Sequence, residues 1–198
     1  MLRLVTLALG CALSFAAASA QTPAPTVRGV VAAISGDALT VTARTGGNVA
    51  VRLGPKTRIV AVLAASPADL KPNAFIGVAA VPEGDGLKAL EVHIFPEALR
   101  GTGEGFRPFD LAPGSSMTNG ALDARVGGVE GDHLTVTYKG GSQQIRLPAD
   151  APIVAFAPGE RSEIQPGVAA IVRGSTGADG VIDAAAVIVG RNGVVPPM

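Results

Sequence analysis

One run of residues in this chain occurs twice. Gly36-Asp37 followed by Leu39-Thr40-Val41-Thr42 returns as Gly131-Asp132 followed by Leu134-Thr135-Val136-Thr137. After a one-residue slip in the next hairpin the correspondence continues: Arg52-Leu53 with Arg146-Leu147, Ile59-Val60-Ala61 with Ile153-Val154-Ala155, Pro72 with Pro166, and Asp85-Gly86 with Asp179-Gly180. Self-similarity at a fixed spacing marks a supersecondary unit used more than once. The chain therefore divides into unit one at residues 27–95 and unit two at 122–192. Between them lies a connector, 96–121, and the ends are tails at 21–26 and 193–198.

Within unit one, Leu39 and Val41, then Val49, Val51 and Leu53, alternate with polar or small residues on either side of Arg44-Thr45-Gly46-Gly47-Asn48. Period two around a Gly-Gly turn predicts a hairpin with one buried face. Residues 58–63 are more continuously apolar and predict a further strand. Ser66-Pro67-Ala68-Asp69 then offers an N-cap, a proline at the first helical position and an acid at the third, which predicts one helical turn, stopped by Pro72. Residues 75–81 and 87–95 form a second hairpin about Pro82-Glu83-Gly84-Asp85-Gly86. Unit two repeats the order, with strands at 126–129, 134–138, 144–147, 153–156, 168–173 and 181–189 and a turn near 162–164. The expected fold is all-β: two tandem small OB-like β-barrels, each of five or six strands and one short helical turn, joined by a packed Gly/Pro/Phe connector. Closure removes exposed strand edges.

This pattern resembles a family of bacterial extracytoplasmic proteins built from a small OB-like barrel domain of unknown function, often in tandem. The resemblance is carried by the valine-rich first strand into Gly36-Asp37-x-Leu39-Thr40-Val41, the Asp69-Leu70-Lys71-Pro72 turn and the hairpin at 78–94, and it covers both units. It implies a barrel and an extracytoplasmic address, and no chemistry. Relatives with a connector similar to Ile94-Phe95-Pro96-Glu97-Ala98-Leu99-Arg100-Gly101-Thr102-Gly103-Glu104-Gly105 are labelled metal ABC transporter permeases. A permease needs several spanning helices, and past residue 20 no stretch of this chain is apolar for long enough, so a metal connection has to be shown from residues.

Residues 1–20 open with Arg3, run through Leu4, Val5, Leu7, Leu9, Leu13 and Phe15, and close on Ala18-Ser19-Ala20 before Gln21. A basic start, an apolar run and an A-x-A exit make a secretory signal peptide, which predicts a periplasmic or secreted protein with no transmembrane segment after cleavage. Cys11 leaves with the leader, and neither disulfides nor thiol chemistry remain. Removing Arg3 from 16 basic side chains leaves 15 against 16 acidic ones, a net charge of −1. A chain without a basic excess, with Trp 0 and Tyr 1, has neither the charge nor the stacking platform for nucleic acid.

Three of the five phenylalanines after the leader, Phe95, Phe106 and Phe109, lie in or beside the connector, which also holds Glu97, Arg100, Glu104, Arg107 and Asp110. A flexible linker would not concentrate scarce aromatics, so this segment is expected to pack against a barrel. The repeat also supplies a control. Glu91, His93 and Phe95 share one face of a strand whose counterparts are Ala185, Val187 and Val189. One unit is polar where the other is apolar. Glu91 and His93 are expected either to pair with Arg100 or Arg107 or to form a binding patch beside the connector. Carboxylate and imidazole two apart on a strand point the same way and suit a shared divalent cation. A complete metal site needs three or four ligands, so His93 and Glu91 would require Glu97, with Glu104 or Asp110 as further candidates. His133, at a turn, is expected to be solvated.

Enzyme motifs are incomplete. Gly101-Thr102-Gly103-Glu104-Gly105-Phe106 lacks the Lys-Ser/Thr of a phosphate loop, and Gly114-Ser115-Ser116-Met117 lacks the closing glycine of a nucleophile elbow. The reading is an exported, non-enzymatic binding or interaction module without a resident cofactor. It would take a small ligand or an envelope protein at Glu91, His93, Glu97, Arg100, Glu104, Arg107 and Asp110. The alternatives are a periplasmic metal-binding accessory protein linked to a metal transport system, through His93, Glu91 and Glu97, and a purely structural envelope protein whose connector welds the barrels.

Overall fold

The structure is a computed structural model that describes residues 25–127 and 132–197. The expected leader, Cys11, most of the tail at 21–26 and residues 128–129 of the strand expected at 126–129 lie outside the described residues. The period-two patterns become twelve strands. These are β1 (Thr26–Ser35), β2 (Ala38–Ala43), β3 (Asn48–Ala65), β4 (Phe75–Glu83), β5 (Gly86–Ile94), β6 (Gly105–Pro108), β7 (Ser116–Val126), β8 (Asp132–Tyr138), β9 (Gly141–Leu147), β10 (Ile153–Pro158), β11 (Ala169–Thr176) and β12 (Ile182–Gly190). Three short 3-10 turns, Pro67–Asp69, Glu97–Leu99 and Arg161–Glu163, are the helical elements among the described residues. None is long and apolar enough to cross a membrane.

The strands pair into two closed rings. In the first, β1, β2 and β3 form an antiparallel meander, β3 meets β12 in parallel, and β11 returns antiparallel to β1. In the second, β7, β8 and β9 form the meander, β9 meets β5 through the short parallel pairing Leu87 with Ile145 and Lys88 with Arg146, and β4 returns to β7. In ring one the third and fifth strands, β3 and β12, lie parallel, which is the OB-like plan; ring two has the same order around the ring with the chain permuted, its parallel pair being β9 and β5, so the expected barrels are present. Val31, Leu39, Val41, Leu53 and Val187 fill the first; Ile76, Val78, Leu122, Leu134 and Ile145 fill the second. Each such side chain contributes roughly 1.5–3 kcal/mol by leaving water.

The rings do not follow the two segments, which corrects the expectation that 27–95 and 122–192 each close a barrel of their own. Ring one takes β1–β3 from the first segment and β11–β12 from the second; ring two takes β4–β5 from the first and β7–β9 from the second. The cause is the length of β3. The hairpin strand and the strand expected at 58–63 are one 18-residue element. Past its pairing with β2 it runs twelve residues beyond Leu53 to Ala65, up to about 40 Å at 3.3 Å per residue, staying beside β12 as far as Val62. There it pairs antiparallel with β10, Val62 opposite Phe156. The hairpin that follows is delivered to the other ring. β10 in turn pairs in parallel with β5, which ties the rings together.

Two further differences concern boundaries. β7 begins at Ser116, ten residues before the first strand expected in unit two, so the connector ends earlier than 121, and β6 within it pairs with β7. The alignment of β5 with β12 also moves by one residue. A bulge skips Leu90 between the pairs Ala80 with Ala89 and Ala79 with Glu91, and the matching bulge skips Ala185 between Gly174 with Ala184 and Arg173 with Ala186. Glu91 therefore corresponds to Ala186 and His93 to Ile188, not to Ala185 and Val187. The hairpin between β11 and β12 is one residue longer, which causes the slip. The contrast of polar with apolar survives it.

The connector packs as expected. Phe109 joins Val62, Ile171 and Ile188, and the Phe95 ring lies edge-on to Phe75 at 5.5 Å and to Phe156 at 5.1 Å. Phe106 is the exception at 46 % exposed.

Candidate functional site: a cleft between the barrels

On β5, Val92 and Ile94 face the core of ring two, so Glu91, His93 and Phe95 must face out of it. That outer face is not wet, because β10 and the connector cover it. Glu91 and His93 are each 1 % exposed. The imidazole lies against the Phe156 ring, centroids 5.1 Å apart. His93 Nε2 and Glu91 Oε1 stand 3.0 Å apart, but misaligned. Nε2 and both carboxylate oxygens therefore have no hydrogen-bond partner among the described residues, nor do Thr118 Oγ1 and Asn119 Oδ1 on β7.

Asn119 is placed by two contacts. Its Nδ2 donates to the carbonyl of Thr102 at 2.9 Å, which hangs the connector on β7. Across the ladder its partner is Gly77, where a Cβ would stand 2.7 Å from Asn119 Oδ1 and 3.1 Å from the Phe95 ring. Only glycine leaves room for both side chains.

The remaining sequence-predicted residues separate. Arg107 Nη1 donates to the Gly103 carbonyl at 2.6 Å, and burial pushes its guanidinium below the ordinary arginine value. Arg100 does not reach His93. It binds Glu97 at 2.5 and 2.8 Å, donates to the Asn73 carbonyl at 2.8 Å and covers the Phe75 ring. Its hydrogen bonds hold the Glu97 carboxyl below the usual carboxylate range. Glu104 accepts from the Lys139 amide at 2.9 Å. Asp110 takes both arms of Arg28 on β1, at 2.8 and 3.1 Å, which holds its carboxyl low. His133 is exposed, as expected. The set His93, Glu91 and Glu97 is not assembled: Glu97 belongs to Arg100, and among the described residues no three His, Cys, Asp or Glu side chains gather as cation ligands.

His93 and Arg107 both line a cavity of about 250 Å³ between the two barrels and beneath the connector, without a hydrogen bond to each other. Phe95, Phe156 and Ile188 supply apolar wall, and Asn119, Arg58 and Arg173 supply polar wall. A larger cavity, about 550 Å³, lies along Pro67, Pro148, Val154 and Val194. Its walls are apolar, Asp132 on its rim is bound to Arg125 at 2.7 Å, and it holds none of the unpartnered buried atoms. The smaller cavity is the better candidate.

Arg173, Asn119 and Phe156 escaped the sequence reading. The signal for Arg173 was present in the comparison that singled out His93. Arg173 pairs with Ala186 as Ala79 pairs with Glu91, so here too one segment is charged where the other is apolar. Burial, then Arg28 and Arg107, push the Arg173 guanidinium down, while Asp110 and Glu91 act the other way. The charges of β1, β5, β6 and β11 thus meet across this cleft.

Fold and site together define a class: an all-β protein of two interlocked five-stranded barrels with a ligand-sized, partly cationic cleft between them. No family model, curated protein or solved structure matches the chain.

Proposed function

We propose that the chain is an exported, non-catalytic binding protein whose ligand site is the cleft between its barrels. One observation carries this. His93 Nε2, 3.0 Å from Glu91 Oε1 but misaligned with it, and Asn119 Oδ1 are buried, make no hydrogen bond among the described residues, and belong to residues on the wall of a cavity. An unmet buried polar group costs about 1–3 kcal/mol, and folded proteins leave few of them. Two at one cavity suit a site whose bonds are completed by a ligand. The like strand order of the two rings supports reading the chain as one unit used twice, and the cleft lies where the two uses differ. Export rests on the leader pattern of residues 1–20, and the non-catalytic reading rests on the incomplete motifs of the connector.

A second reading, the structural weld, is favoured by a separate observation. Glu97, Arg100, Glu104 and Asp110 all spend their side chains on bonds that pin the connector and its neighbours. The test is a screen of small organic compounds against chain carrying labelled methyl groups. Shift changes that gather on Leu99, Met117 and Ile188, which line the cleft, support the binding reading. A screen in which no compound moves those methyls defeats it in favour of the weld.

A further inference from the structure

We infer that the cleft takes a small organic anion with an apolar body, its charged group held by Arg107 and Arg58 and its body lying on Phe156, Phe95 and Ile188. This deepens the preceding proposal and rests on the cleft being a ligand site.

Charge is the first argument. Three guanidinium side chains, Arg58, Arg107 and Arg173, line the cavity, and no Asp or Glu does so among the described residues. Arg28 stands behind them but is occupied by Asp110. Arg173 shares the field of Glu91 and Asp110. Arg107 has the Gly103 carbonyl and no carboxylate partner among the described residues, and Arg58 has no hydrogen bond or ion pair there. In a chain whose charges nearly balance, two exposed guanidinium groups without a carboxylate partner among the described residues, both on the wall of one open cavity, point to an anion from outside. The planar guanidinium fork fits a carboxylate through two parallel bonds, which a lysine would not provide. A cationic ligand is disfavoured by the same geometry, because Glu91, the one buried carboxylate nearby, does not itself line the cavity.

Shape is the second argument. Phe95 meets Phe156 edge-on at 5.1 Å, and the Phe156 ring with Ile188 makes an apolar surface that an inorganic anion would leave unused. A volume of about 250 Å³ lies just under the range of about 300–1,000 Å³ usual for small-molecule pockets, which suits a small ligand. Asn119 Oδ1, on a side chain 4 % exposed, adds an acceptor that a hydroxyl or amide N–H on the ligand would satisfy.

The test is calorimetric titration of the purified chain with four probes: phenylacetate, its neutral amide phenylacetamide, the cation phenethylammonium and inorganic phosphate. Phenylacetate is expected to bind once per chain and at least about tenfold more tightly than the other three, a difference of about 1.4 kcal/mol. Arg107→Gln and Arg58→Gln should each weaken it severalfold without moving the melting temperature. Should Arg107→Gln disturb β6, Arg58→Gln decides, because that side chain makes no bond to lose. Equal binding of phenylacetamide or phenethylammonium overturns the anion and leaves the cleft reading standing. Phosphate as tight as phenylacetate overturns the apolar body. Absence of phenylacetate binding at millimolar concentration overturns the whole inference, and the methyl screen then judges the cleft by itself.

Discussion

A carboxylate and an imidazole buried side by side give the site its least forgiving residues. Glu91 and His93 sit 3.0 Å apart without a hydrogen bond among the described residues, and leaving a buried polar group alone costs about 1–3 kcal/mol. Deleting one of the two leaves the other alone in an apolar setting, so Glu91→Met or His93→Ile alone should cost about 1–3 kcal/mol of stability. The double substitution should recover most of it. The corresponding positions on β12 are Ala186 and Ile188, both buried, which shows that this strand face packs well without polar atoms. Denaturant unfolding of the four proteins of that cycle measures it, and a double variant as unstable as the summed singles would sink the claim. Gly77 makes a second case. Gly77→Ala places a methyl 2.7 Å from Asn119 Oδ1, an overpacking worth about 1–3 kcal/mol. In an Asn119→Ala background the penalty should shrink, with only the Phe95 contact left to relieve. An unchanged penalty would mean that the Asn119 side chain is not what fills the space.

Beside the β6–β7 ladder, the connector is held by side-chain links that can be cut one at a time. Arg28 on β1 grips Asp110, and the Asp110 side chain is 59 % exposed, so solvent screening keeps the link below about 1 kcal/mol. Its pH dependence has a definite sign. The Asp110 carboxyl is held below its ordinary value, chiefly by hydrogen bonds from Arg28, so the stabilisation is present above the usual aspartate range of about 4 and is lost as pH falls through the lowered value. Asp110→Asn should therefore be slightly less stable at neutral pH and indistinguishable from the parent in strong acid. Urea midpoints recorded against pH that stay apart at low pH would contradict this. Local chemistry of this kind is what sequence shows well. Ser66-Pro67-Ala68-Asp69 forms its turn with Asp69 accepting from the Ser66 amide and hydroxyl, both at 2.8 Å, because every participant lies within four residues. The start of β7 was illegible for the opposite reason: Ser116, Thr118 and Asn119 are buried polar residues, and they break the alternation that announces a strand. The polarity of Glu91 and His93 was legible, but their 3.0 Å approach without a hydrogen bond was not, because a strand pattern carries no angles between side chains.

At the scale of the molecule, the strand exchange is the feature that local sequence is least able to declare. Hairpins fix antiparallel neighbours, but the parallel contacts that close each ring, β3 with β12 and β9 with β5, join strands far apart in sequence. Since the segments resemble each other, either segment offers a suitable closing hairpin, and the apolar pattern does not choose between them. The choice is made where β3 continues through Gly54 and Thr57 instead of turning. The Thr57 hydroxyl accepts from the Gly54 amide at 2.8 Å and donates to the Ala184 carbonyl at 2.7 Å, clamping β3 to β12. The consequence is that neither half holds a complete barrel. Residues 25–100 alone lack β11 and β12 for ring one and β7–β9 for ring two, and their β3 extends toward an absent β10. Expressed separately, fragments 25–100 and 101–197 should each give the collapsed amide spectrum of an unfolded chain. Mixed, they should recover the dispersed spectrum of the intact protein and one cooperative unfolding transition. The cleft should return with it, since His93 and Phe95 come from one fragment and Phe156 and Ile188 from the other. A fragment 25–100 that folds alone would mean that β4 and β5 can close on β1–β3. The exchange would then be one of two available closures, and the cleft would be a product of the linkage between halves rather than of either barrel.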